Sequence, residues 1–151
     1  MASISGIHHA CITVPDMENA KRWYKEVLGL NLVAEFEIDT PELGVGVGMP
    51  GAHLQGAMFK WGEGEDATMV ELLHYIKPVG EAHNPNKPMC DMGTTHVAFS
   101  TENAIDELYG ELVAKGVKFY SPPQPVDVGG AVIKFCYFKD PDGVTLELIG
   151  T

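Results

Sequence analysis

The chain has 151 residues, 45% of them apolar and 21% charged, which fits one globular domain large enough to bury a core. Its 21 acidic and ten basic residues leave a formal charge of −11, a balance that repels nucleic acid and anionic membranes. Arg22 is the only arginine, so polyphosphate ligands such as coenzyme A would need local basic contacts, and small neutral, apolar or cationic ligands suit the field better. No apolar run reaches the roughly 18 residues that cross a bilayer. MASISGIHH has neither the basic start nor the apolar core of an export signal. Cys11, Cys90 and Cys136 make an odd count without CxxC spacing, so reduced, buried thiols in a cytoplasmic protein are expected.

In chain order, HHACITV reads as a strand, and alternation predicts that His8 and His9 point to opposite faces. MENAKRWYKEVLGL follows Pro15-Asp16 with Ala20, Trp23, Tyr24, Val27 and Leu28 at helical spacing, closed by Gly29. LNLVAEFEI, AHLQGAMFKW and TMVELLHY read as three strands, the last two separated by the turn-like GEGEDA. Residues 76–93 are rich in Pro, Gly and Asn without a period, as in a linker or long loop. The pattern then restarts with the strand TTHVAFS. A helix over ENAIDELYGELVAKG follows, with Ile105, Leu108, Leu112 and Val113 on one side. VKFYS, AVIKFCYFKD and VTLELIG supply three more strands, the last two joined by the turn DPDG.

The halves echo each other. His9 to Gly29 and His96 to Gly116 both span 20 positions, and each half ends on a strand with a glutamate in an apolar setting, Glu71 in MVELL and Glu147 in TLELI. Singly, a strand histidine is ordinarily a packed core or edge residue, and a strand glutamate ordinarily faces water. A carboxylate on an apolar strand is costly unless paired or bound to metal, and no basic partner adjoins either glutamate in sequence. The repeated His…Glu order weights the four as a set. Two imidazoles and two carboxylates suit a divalent metal, with nickel, cobalt, manganese, iron and zinc all compatible.

IHHACITVPDMENAKRWYKEVLGL, GTTHVAFSTENAIDELYGELVAKGV and KDPDGVTLELI together resemble the vicinal oxygen chelate superfamily, also called the glyoxalase/bleomycin resistance/dioxygenase superfamily, over nearly the whole chain. The resemblance implies an α+β fold: a single domain, 1–151, in which two βαβββ modules, about 6–76 and 93–150, form a cupped mixed sheet around one metal. It implies His9, Glu71, His96 and Glu147 as ligands, with His9 inward, and a homodimer. It also implies a small carbonyl substrate whose α-proton is removed to give a metal-stabilised enolate, as in an epimerase or racemase. Glu71 or Glu147 would act as base, and His53, on a strand that lines the cavity in similar enzymes, as a further proton-transfer group. His74 has the opposite strand parity to Glu71, and His83 lies in the linker. Met58, Phe59, Trp61, Met69, Phe135 and Tyr137 read as apolar walls or core. Two other activities fit the resemblance: a glyoxalase I-like lyase, which uses the same ligand set, and a metal-free drug-binding protein of the bleomycin resistance kind.

Overall fold

The computed structural model describes residues 6–61, 68–101 and 104–151. The turn GEGEDA, the residues Glu102 and Asn103 at the start of the expected second helix, and the first five residues of MASISGIHH lie outside the described residues. The chain divides into two compact units, Met1–Ala82 and His83–Thr151, at a boundary inside the Pro/Gly/Asn-rich stretch.

The first unit runs β1 (His9–Thr13), α1 (Met17–Glu26), β2 (Asn31–Ile38), α2 (Pro41–Gly46), β3 (His53–Lys60) and β4 (Met69–Lys77). Its sheet has the order β1-β4-β3-β2, with β1 parallel to β4 and the other neighbours antiparallel. Asp16 starts α1 by accepting the backbone N–H of Asn19 at 3.0 Å, which satisfies one of the first-turn donors a helix leaves unpaired. Gly29, at φ 73°, lets the chain turn back into β2 without the Cβ clash any other residue would meet. Met17, Ala20 and Tyr24 bury one face of α1, and the Tyr24 ring lies 6.3 Å from that of Phe59. Ile12, Ala57, Phe59, Val70 and Leu72 are buried on the same side of the sheet, each large one stabilising the unit by about 1.5–3 kcal/mol.

The second unit runs β5 (Val97–Ser100), α3 (Ile105–Ala114), β6 (Gln124–Val128), β7 (Ala131–Lys139) and β8 (Thr145–Gly150). Its sheet has the order β5-β8-β7-β6, with β5 parallel to β8. Two units of βαβββ order, the first with α2 added, are the α+β architecture the sequence predicts. Among the described residues no helix is long and apolar enough to cross a membrane.

Three local expectations are corrected. VKFYS is not a strand. Phe119 makes only an isolated bridge to Phe138, and its ring stacks between Tyr109 at 4.8 Å and Phe138 at 5.0 Å. The apolar character of that segment therefore reports core packing, while the edge strand is the exposed QPVDV of β6. Its Pro125 is tolerated because an edge strand needs only one row of ladder bonds. The helix α2 was not expected at all, although Thr40 caps it by accepting from Leu43 N at 3.3 Å and Pro41 occupies its first turn. Val113, expected on the buried side of α3, is exposed, and Ile105 and Leu112 carry the packing.

Candidate metal centre

In each unit one sheet face is packed under a helix, and the chemistry-bearing side chains stand on the other. In the first unit β1 pairs with β4 so that Cys11 lies opposite Glu71, and β3 brings Met58 opposite Glu71 from the other side. Alternation puts His9 on the same face as Cys11, and its Nε2 lies 3.3 Å from Glu71 Oε2. In the second unit β5 and β7 flank β8 so that Ala98 and Tyr137 lie opposite Glu147. His96 Nε2 is 2.9 Å from Glu147 Oε2. Glu147 is buried, yet its neighbours are an imidazole and a phenol rather than a lysine or arginine.

The two pairs pass a simple fit test. Nitrogen and oxygen ligands about 2.1 Å from one ion and at right angles to each other sit about 3 Å apart, and the observed separations are 3.3 and 2.9 Å. Among the described residues no three His, Cys, Asp or Glu side chains lie close enough together to hold a metal ion, so each unit presents a two-ligand pair.

His8 does not point away from His9 as the strand pattern predicts. Regular pairing begins only at His9, and outside the pleat the His8 ring turns edge-on to its neighbour, with the two Nδ1 atoms 2.9 Å apart. His9 thus has one ring nitrogen at His8 and the other at Glu71, which fixes the ring's direction. His53 shares its face with Gln55, Ala57 and Phe59, as expected. That face is the one packed under α1, opposite the face of Glu71. There His53 Nε2 meets Glu37 Oε1 at 2.7 Å and Gln55 Nε2 donates to Glu37 Oε2 at 2.9 Å. Gln55 and His53 together hold the Glu37 carboxyl below the usual carboxylate range. His74, as its parity requires, also turns from Glu71, its Nδ1 lying 3.1 Å from Val14 O, and His83 is exposed.

Two neighbours of the glutamates were not legible as such. Cys11 and Cys90 are exposed and only Cys136 is buried, which corrects the expectation of three buried thiols. Although the residue is exposed, desolvation of its thiol, with the charge of Glu71 beside it, pushes the pKa of Cys11 up to about 12. At pH 8 about one such thiol in ten thousand is ionised, against about a quarter of ordinary cysteines. Alkylation of Cys11 is therefore expected to run at least about tenfold slower than that of glutathione. Glu71→Gln should speed it, and peptide mapping after timed iodoacetamide quenches checks both.

Tyr137 is a hydrogen-bond donor as well as a wall. Its ring stands edge-on to His96 at 5.2 Å and its hydroxyl donates to Glu147, while burial and the Glu147 charge keep the phenol protonated. Counting outward in equal steps from Asp142 in the DPDG turn pairs Tyr137 with Glu147, so the hairpin register held this signal. Because Tyr137 orients a candidate ligand, Tyr137→Phe is expected to weaken divalent-metal binding about tenfold with little change in melting temperature, as read by competition titration against a chelator.

Two units with four-stranded mixed sheets, each offering one His–Glu pair, match a known group of proteins. The sequence profile of the Glyoxalase/Bleomycin resistance protein/Dioxygenase superfamily matches residues 6–148. The chain belongs to this superfamily. It is 31% identical over 143 residues to a lactoylglutathione lyase of Arabidopsis thaliana, covering 93% of this chain but only 42% of that protein's length. It is 30% identical to a 2-epi-5-epi-valiolone epimerase of an Actinomyces species, covering 95% of this chain and 78% of the relative. The fold is shared with a glyoxalase family protein of Bacillus cereus, with a TM-score of 0.80 at 22% identity over 98% of this chain and 95% of that one. The relatives of this superfamily member are thus lyases and epimerases.

Proposed function

We propose that this superfamily member is a metal-dependent isomerase, an epimerase or racemase that moves the proton next to a carbonyl in a small substrate, in a cytoplasmic homodimer. The observation that carries the reading is the duplicated His–Glu pair at ligand spacing, His9 with Glu71 and His96 with Glu147. These four residues are the proposed ligands for a divalent ion, nickel, cobalt, manganese, iron or zinc. When bound, such an ion supplies Lewis-acid stabilisation for the negative charge that grows on a carbonyl oxygen as the α-proton leaves.

The chain's own residues do the rest. Glu71 and Glu147 are the proposed proton-transfer groups, one removing the proton and the other returning it to the opposite face of the carbon. Tyr137 holds the Glu147 carboxylate by its hydroxyl. His53, bound to Glu37 on the other face of its sheet, is not brought to Glu71 and has no role in this reading. A lyase of the glyoxalase I kind is the second reading, favoured by the similarity to the Arabidopsis thaliana enzyme. It shares the first proton transfer and differs in returning the proton to the neighbouring carbon.

Elemental analysis of protein purified without a histidine tag or chelator tests the metal. About one divalent ion per chain supports the reading, and none, with none taken up on dialysis, overturns it. Exchange of the substrate α-proton in deuterated water, followed by product analysis, then separates an epimer from an isomerised hydroxyacyl product.

A further inference from the structure

The unit His83–Thr151 holds a cavity of about 830 Å3 beyond the His96–Glu147 pair, bounded by the Pro85–Met89 stretch, Lys118, Tyr120 and the Lys139–Gly143 turn. Three of the ten basic residues of a strongly acidic chain, Lys87, Lys118 and Lys139, line it. Among the described residues none of the three forms an ion pair, whereas Lys21 and Lys134 do. Lys139 Nζ donates to Thr145 Oγ1 at 2.6 Å and sits 5.8 Å from the centre of the exposed Tyr120 ring. Two carboxylates also line the cavity, Asp140 and Asp142. Asp140 is buried, and its Oδ1 accepts the backbone N–H groups of Asp142 and Val144 at 3.0 and 2.8 Å, which commits it to the turn.

The backbone sets two of the lysines side by side. Phe119 bridges Phe138 in antiparallel sense and Tyr120 N donates to Tyr137 O at 2.9 Å, so one step the other way Lys118 runs alongside Lys139. Like charges at neighbouring cross-strand positions repel, and an anion placed between the two would relieve that repulsion. Phe119 faces inward to Tyr109 and Phe138. Alternation therefore turns Lys118 and Tyr120 to the opposite side, which is the face of Tyr137 and Glu147. On that face the Lys139–Thr145 pair lies two residues along the hairpin from Tyr137–Glu147, a step of about 7 Å.

We propose that this cavity binds the anionic end, a phosphate or a carboxylate, of the small molecule whose carbonyl reacts at the His96–Glu147 pair. The anion lies between Lys118 and Lys139, and a flat neighbouring group rests on Tyr120. The assignment of the reacting end rests on the proposed isomerase reading; the anion site stands on the lysines alone. It narrows the substrate class to anions, against the preference for neutral or cationic ligands that net charge implies.

The test is an NMR titration of the metal-loaded, 15N-labelled full chain with phenyl phosphate and, separately, with benzoate, with metal content measured on the same samples. Saturable shifts at Lys118–Tyr120 and Lys139–Gly143 are expected, weakening as salt is raised. Lys118→Gln, at an exposed position, should raise the dissociation constant about tenfold while leaving the metal in place. Stronger binding of phenyl phosphate identifies a phosphate-bearing substrate, and stronger binding of benzoate a carboxylate. No saturable shift at these residues with either probe, or binding undiminished in Lys118→Gln, overturns the proposal. Anion binding in a protein that holds no metal would sink the isomerase reading and leave this site standing.

Discussion

Glu147→Gln is expected to lower divalent-metal affinity at least about 100-fold and to bring α-proton exchange down to background. Changes to groups that merely orient a ligand cost 10- to 100-fold, and this one alters a proposed ligand itself. The substitution keeps the side chain's volume, so the packing around Leu146 and Leu148 is preserved, but it replaces a charged oxygen by an amide in a buried position. His96 then faces an amide at the 2.9 Å separation where it now meets a carboxylate, and the Tyr137 hydroxyl loses its charged acceptor. The check has two parts: equilibrium dialysis with metal analysis, and deuterium exchange, both on variant whose circular dichroism matches the parent. Full metal loading and normal exchange would remove Glu147 from the site. Glu71→Gln should behave alike, because Glu71 occupies the equivalent place in the first unit.

Phe138→Ala is expected to cost about 3–5 kcal/mol, the usual range for emptying a fully buried aromatic site. Phe138 has no exposed surface, pairs with Leu146 in the β7–β8 hairpin, and stacks on Phe119, which in turn touches Tyr109 of α3. The ring therefore joins three elements of its unit, and its removal leaves a cavity that backbone on both sides keeps from collapsing. A fall in melting temperature on the order of 10 °C is the expected readout by circular dichroism. A loss below about 1 kcal/mol, well under that range, would mean that Phe119 moves into the space.

Much of this molecule is written locally. Asp16 caps α1 and Gly29 ends it, so the helix needs nothing distant to define it. Alternation places Glu71 on the face away from Val70 and Leu72, and Glu147 on the face away from Leu146 and Leu148, and the repeated His…Glu order marks the four candidate ligands without reference to any contact. That repeat leads to the expectation of all four side chains at one metal, and the structure shows two pairs, His9 with Glu71 and His96 with Glu147. What escaped the sequence depends on non-local partners. β6 carries no apolar signal because it is an edge strand exposed along its length, and only its pairing with β7 makes it a strand. Phe119 looks like strand but is a half-buried ring packed on Tyr109 and Phe138, because packing against aromatics and pairing in a ladder favour the same residue types. His8 leaves the alternating pattern where the pairing stops.

The same division runs through the site. The sequence by itself determined which residue types recur and on which face of a strand each stands, since those follow from the period of the backbone. The tertiary structure decided which face is covered by a helix, and so separated His53 from Glu71. It also decided which residue lies across the ladder from each glutamate, giving Glu147 a phenol, Glu71 a thiol, and Lys118 a second lysine beside it. Register is set by hydrogen bonds between segments far apart in the chain, and a shift of one residue would turn every one of these side chains to the other face.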